Sequence, residues 1–247
     1  MRRLIAFPCE GETLLGTLDE ASGDTGLLIV SGGNEVRAGA HRGMAHLAAR
    51  LASQGIPVFR FDRRGIGDSS GENGGFAQSG PDIAAAAACF RQEAGLASLV
   101  ALGNCDGATA LAMFGRTAGV DALIFTNPWL ADRNEDGLPP GPAIRARYLD
   151  RLRNPASWRQ LPSLPKLLKG LRAIARPTPQ PARAALFAAP PLPTTVILAE
   201  RDATAIAYRS AVGGPAATIA TASHSFADSG DELEAAVLAA VRRYSAA

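Results

Sequence analysis

A cysteine set between two glycines, with an aspartate and a histidine far downstream, is the part of this 247-residue chain equipped for covalent chemistry. Gly103-Asn104-Cys105-Asp106-Gly107 follows the apolar run Leu99-Val100-Ala101-Leu102 and precedes an alanine-rich stretch. Four apolar residues without alternation suit a strand covered on both faces, and the stretch beyond suits a helix. A nucleophile at the tip of such a turn sits in a strained conformation, so the residues two places away on either side must be small. A helix from Asp106 aims its first N–H groups at whatever Cys105 attacks. The thiolate is the reactive form, and a free cysteine is only partly ionised at neutral pH. His224 is placed to take or share the proton, and Asp202 to fix the ring tautomer and stabilise its charged form. Glu200 competes with Asp202, whose place after a strand favours it. Asp228 follows His224 too closely to be a strong rival. The plain alternative for Cys105 is a buried structural thiol in a tight turn.

Positioning these groups requires alternating strands and helices, and the chain reads that way. Residues 2–19 hold two short apolar pieces around Gly11-Glu12, which suggests an antiparallel hairpin with Cys9 as packing. Leu27-Leu28-Ile29-Val30 is a buried strand running into Ser31-Gly32-Gly33-Asn34. A helix over about 41–54 puts Met44, Leu47, Ala48 and Leu51 on one face. A strand at 57–62, a glycine-rich turn at 63–71 and a helix at 82–94 follow. Ala122-Leu123-Ile124-Phe125 is a strand stopped at Asn127-Pro128. Later come a strand at 194–199, a helix at 203–211, a strand at 216–220 and a helix at 230–244. Asp231 and Glu232 suit the start of that last helix, and Arg242 and Arg243 its end.

Between these blocks the composition shifts. Residues 129–193 hold twelve prolines, and eleven lysines and arginines against four acids, a formal charge of +7. Short helices at 142–153 and 163–174 fit, and no strand pattern shows. The segment reads as a helical, proline-rich lid inserted into a core made of 1–128 and 194–247. Its basic residues are either a solvated face or a surface for an anionic substrate group. The whole chain is 47% hydrophobic and 19% charged, with net charge +2, which speaks against general nucleic-acid binding. Three cysteines suit a reducing, cytoplasmic compartment rather than a disulfide framework. No signal peptide or transmembrane run is evident, and no metal-ligand spacing, so no metal or cofactor is expected. Oligomeric state is open.

The glycine pair after the third strand, then Phe61-Asp62-Arg63-Arg64-Gly65-Ile66-Gly67-Asp68-Ser69, the elbow, Arg201-Asp202 and Ser223-His224 resemble the α/β-hydrolase fold over nearly the whole chain. The order nucleophile, acid, histidine is also that of the fold. Ser31-Gly32-Gly33-Asn34, Ala40-His41-Arg42 and the cysteine elbow resemble, more narrowly, the exosortase A system-associated hydrolases of type 1. The resemblance implies a mostly parallel eight-stranded sheet with helices on both faces. It also implies an oxyanion hole from the Asp106 N–H and an N–H of the Gly33–Asn34 loop, where losing one donor costs about 100- to 1000-fold in rate. In the dienelactone hydrolases, a cysteine-bearing branch of the fold, an acidic side chain near that loop modulates the thiol, which makes Glu35 a candidate. His41 and Trp129 are further pocket candidates. Asp62 and Asp68 look like fold residues that bind loop backbone. The implied activity is hydrolysis of activated acyl bonds in a small molecule, such as thioesters, enol or aryl esters and lactones, with an anionic or coenzyme A-like carrier as one option. Acyl transfer by the same residues, and a catalytically silent ligand-binding protein, are the alternatives.

Overall fold

Every strand of the sheet except one runs in the same direction, and the exception explains how the N-terminal hairpin joins the rest. A computed structural model of the chain describes residues 1–130 and 183–245. Strands β1 (Arg2–Cys9) and β2 (Glu12–Asp19) form an antiparallel hairpin whose turn holds Glu10 and Gly11 at positive φ. β2 is the reversed strand and pairs antiparallel with β4 (Val58–Phe61). β3 (Thr25–Val30), β5 (Ser98–Asn104), β6 (Ala122–Thr126), β7 (Thr194–Ala199) and β8 (Ala217–Ile219) complete a single sheet of order β1-β2-β4-β3-β5-β6-β7-β8, parallel from β4 onward.

Alternate residues of the buried strands feed two separate cores. In β5, Leu99 and Ala101 face one side, and Val100 and Leu102 the other. The first side is covered by α2 (Gly80–Ala94), α3 (Asp106–Phe114), the short α4 (Ala184–Ala188) and α5 (Ala203–Ala211). The second is covered by α1 (Gly43–Ser53) and the C-terminal α6 (Gly230–Ser245). Helices on both faces are why these strands are unbroken apolar runs. The arrangement is the α/β-hydrolase fold expected from the sequence.

Three local differences have physical causes. β5 extends past its apolar run because Gly103 and Asn104 continue the ladder against Phe125 and Thr126. α1 starts at Gly43 and not near 41, because His41 and Arg42 take left-handed φ values of 52° and 60° that a right-handed helix excludes. His41 therefore lies on a tight turn at Ala40–Arg42, off the helix. The end of the segment read as a lid also joins the core: Phe187 of α4 is buried, edge-on to Phe125 (centroids 5.2 Å apart) and to Tyr208 (5.8 Å). The helices expected at 142–153 and 163–174 lie outside the described residues.

Candidate active site

The C-terminal ends of the parallel strands bring the chemically equipped residues together. Cys105 sits between β5 and α3 with φ 56° and ψ −123°, a conformation that a side chain rarely adopts. Sterics and hydrogen bonds hold it there. A Cβ on Gly103 would lie 2.6 Å from Ala108 N and from the Gly107 carbonyl, and one on Gly107 would lie 2.4 Å from Val30 O. A Cβ on Gly32 would meet Asn104 O at 2.5 Å and the Cys105 Cβ at 2.9 Å. The Cys105 N–H donates to Thr126 O (3.0 Å), and its carbonyl accepts from Trp129 N (3.1 Å) and Ala108 N (3.2 Å). Cys105 is thus bolted to the end of β6 on both sides, at the N-terminus of a nine-residue helix.

Asp202 caps α5. Its Oδ1 accepts from Thr204 N (2.9 Å) and Ala205 N (3.0 Å), which leaves Oδ2 to accept from His224 Nδ1 at 3.2 Å. One carboxylate therefore does two jobs, with one oxygen for the helix and one for the imidazole. Burial pushes the Asp202 carboxyl up, but the His224 hydrogen bond and charge and the two backbone N–H groups outweigh it, so its pKa is lowered. For His224, burial disfavours the charged ring, yet hydrogen bonds to Asp202 and Cys105 and their charges push its pKa up to about 10. The ring is 36% exposed, so one edge stays open toward solvent. The rival acids do not reach it: Glu200 is exposed, and Asp228 accepts from Thr221 Oγ1 (2.6 Å) and Ser229 Oγ (3.0 Å) within the loop that carries His224.

The loop after β3 lies across Cys105. Asp62 anchors it, accepting from Arg37 N (2.5 Å) and Asp68 N (3.1 Å) and pairing with the Arg37 guanidinium, which also pairs with Asp68 (2.8 Å). Asp62 thus binds loop backbone, as the sequence suggests, whereas the exposed Asp68 carboxylate meets a guanidinium and not backbone. Within the loop the Gly33 N–H is occupied, because it donates to Asp106 Oδ1 at 2.6 Å. Buried Arg63 donates to Gly33 O and comes within 4.0 Å of the same carboxylate oxygen. Asn34 is exposed and accepts from Asn73 Nδ2 (3.0 Å). Half-buried Glu35 accepts a backbone hydrogen bond from Ala40. Burial raises its pKa and the charge of Asp106 adds to that, while the charge of His224 and the Ala40 hydrogen bond work against it. His41 is exposed and makes no hydrogen bond to Cys105, His224 or Asp202 among the described residues. Trp129 is half-buried and meets Cys105 through its backbone.

Asn127 escaped the reading of the sequence. It is fully buried at φ 44°, its Nδ2 donates to His224 O (2.9 Å), and its Oδ1 accepts from Ala199 N (2.8 Å). One amide thus ties the His224 loop to the end of β7, where Asp202 begins. The only signal in sequence was an asparagine before a proline at a strand end.

The other two thiols are raised by their surroundings. Burial, with the nearby Asp82 carboxylate, pushes Cys9 up to about 11, and burial with Glu93 does the same for Cys89. None of the three cysteines is in a disulfide. A polar cavity of about 270 Å³ lies beside Arg63, Arg64, Glu72, Asn73 and Asp82, and none of Cys105, His224 and Asp202 lines it. Among the described residues no cluster of three or more His, Cys, Asp and Glu could hold a metal ion, and no helix is long and apolar enough to cross a membrane.

Comparison with known proteins bears on this geometry. No curated protein matches the sequence significantly. Among solved structures, the esterase Pf2001 of Pyrococcus furiosus is 14% identical, with a TM-score of 0.64 over 98% of this chain and 91% of its own. The thioesterase domain from the curacin biosynthetic pathway is 15% identical, with a TM-score of 0.61 over 98% and 99%. XC6422 of Xanthomonas campestris, described as an α/β serine hydrolase without a lid, is 16% identical, with a TM-score of 0.61 over 98% and 94%. At such identities the likeness is one of fold. The sequence profile described as serine aminopeptidase, S33, matches residues 25–199, from the first residue of β3 to the last of β7. With well over half its length matched, the chain belongs to that family of α/β-hydrolases.

Proposed function

We propose that this protein hydrolyses activated acyl bonds, of ester or thioester type, through an acyl-cysteine on Cys105. The supporting observation is the line Asp202–His224–Cys105, in which a buried carboxylate orients an imidazole whose raised pKa reflects both neighbours. In the first step the Cys105 thiolate attacks the carbonyl carbon, and the electron pair moves to the carbonyl oxygen. The Asp106 N–H and the Gly33–Asn34 loop are the candidate donors to that oxyanion. Collapse breaks the bond to the leaving alcohol or thiol, which takes the proton from the His224 imidazolium. In the second step neutral His224 takes a proton from water, the resulting hydroxide attacks the thioester carbon, and the acid leaves as Cys105 returns to thiolate beside imidazolium. Asp202 holds the tautomer throughout and never needs the proton.

The narrower assignments rest on sequence. The cysteine elbow with Ser31–Asn34 and Ala40–Arg42 supports a place near the exosortase A system-associated type 1 hydrolases within the family. The arginine-rich composition of residues 129–193 supports a lid over a core of 1–128 and 194–247, and an anionic carrier such as coenzyme A. Three free cysteines support a reducing, cytoplasmic setting.

The test is a panel of p-nitrophenyl esters and acyl-coenzyme A thioesters with wild type and Cys105→Ala, with and without alcohol and amine acceptors. Turnover by wild type with an acyl adduct on the peptide holding Cys105, and no turnover by the variant, is the expected result. Equal turnover by both removes Cys105 from the mechanism. Product carried mainly onto an acceptor makes the protein a transferase.

A further inference from the structure

The resting site contains a competitor for its own oxyanion donor. We propose that the Asp106 carboxylate gates the Gly33 N–H: it occupies that donor at rest and moves toward Arg63 when a substrate carbonyl oxygen takes its place. This rests on the acyl-cysteine reading above and adds a positioning role for the Asp106 side chain.

The closed end of the movement is observed, and the group that would receive the carboxylate stands beside it. At the closed end, Asp106 Oδ1 accepts from Gly33 N at 2.6 Å, a charge-assisted hydrogen bond that a neutral carbonyl oxygen must displace. At the open end stands Arg63, only 5% exposed, with Nη2 on Gly33 O and 4.0 Å from Asp106 Oδ1. Its Nη1 is buried and finds no hydrogen-bond partner among the described residues. A buried guanidinium N–H without an acceptor is costly, so an approaching carboxylate is favoured there. A shortening of the 4.0 Å separation to ion-pair contact withdraws the carboxylate from Gly33 while Arg63 keeps hold of Gly33 O. The loop then stays in place as its N–H is released. The Asp106 side chain is 19% exposed, so the core does not lock it. Gly32 leaves the room: a Cβ there would lie 3.2 Å from Asp106 Oδ1.

The test compares two reactions of Cys105 in the full-length protein. Acylation by p-nitrophenyl acetate develops an oxyanion, whereas alkylation by iodoacetamide does not. Removing a negative charge beside the thiol affects both, so their ratio isolates the donor. In Asp106→Ala the ratio of acylation to alkylation rates is expected to rise about tenfold over wild type, since a charge-assisted competitor is gone. In Asp106→Asn, whose amide oxygen still accepts but without charge, the ratio rises by less. Should the alanine variant not fold, a rise in the asparagine variant carries the proposal. A ratio that is unchanged or falls in the folded variants overturns it and makes the carboxylate a brace for the loop. Alkylation without any acylation, in wild type and variants alike, instead overturns the acyl-cysteine reading, and the gate with it.

Discussion

Cys105 and His224 share one site, yet the chain fixes them by unlike means. The elbow is held by contact. Backbone atoms lie within 2.4 to 2.6 Å of where Cβ atoms on Gly103 and Gly107 would be, and the Cys105 amide and carbonyl are tied to the end of β6 and to Trp129 beyond it. The His224 loop is held by polar side chains: Asn127 grips its backbone, Asp202 its ring, and Asp228 bonds Thr221 and Ser229 at the loop's two ends. A steric mould tolerates no added atom and needs few partners. A polar tether tolerates atoms but fails when one partner goes. Cys105 is therefore the fixed reference of the site, and His224 and Asp202 are set around it.

The comparison breaks most visibly at the elbow. Gly107→Ala forces a methyl group against Val30 O and is expected to cost about 3 kcal/mol or more, removing stability and activity together in a denaturant melt and an ester assay. At the tether, His224→Ala should lower ester turnover by about 1000-fold or more while the fold survives. It should also slow iodoacetamide labelling of Cys105 at neutral pH. Loss of the fold there would mean that the loop too is a mould. Asn127→Ala strands the Ala199 N–H and the His224 carbonyl in a buried place, so about 1–3 kcal/mol of stability should go, with turnover reduced about tenfold. Asn127→Asp keeps the acceptor for Ala199 but sets a carboxylate against the His224 carbonyl, and should lose more turnover than the alanine variant.

The last expected effect is one of pH. The His224 pKa is raised in the fold from 6.5 to about 10, so the folded state binds the extra proton between those values. Its contribution to stability is complete below about 6.5 and fades as pH rises to about 10. The melting temperature should fall over that interval, and fall less in His224→Gln. Equal slopes in both proteins would place the titrating group elsewhere.

Much of this was legible in the residues because the forces involved are local. Leu27–Val30 and Leu99–Leu102 read as doubly covered strands, and their side chains do alternate between two cores. Gly103 and Gly107 read as walls around Cys105. Asp202 was placed by its position after β7, but its second task of capping α5 was not. What the residues hid lies in contacts between distant parts of the chain. Asn127 meets His224 across 97 positions, and Asp106 meets Gly33 across 73. No periodicity or spacing encodes which amide end, or which carboxylate oxygen, finds which loop. The start of α1 was legible only to within about two residues, because left-handed φ values at His41 and Arg42 hold the helix back to Gly43.

The burial that raises the Cys9 and Cys89 thiols also simplifies the protein for a chemist. If Cys105 is the nucleophile proposed above, a maleimide dye added at neutral pH is expected to label it ahead of the other two sulfurs. A reporter could then be planted at Cys105 without first deleting them.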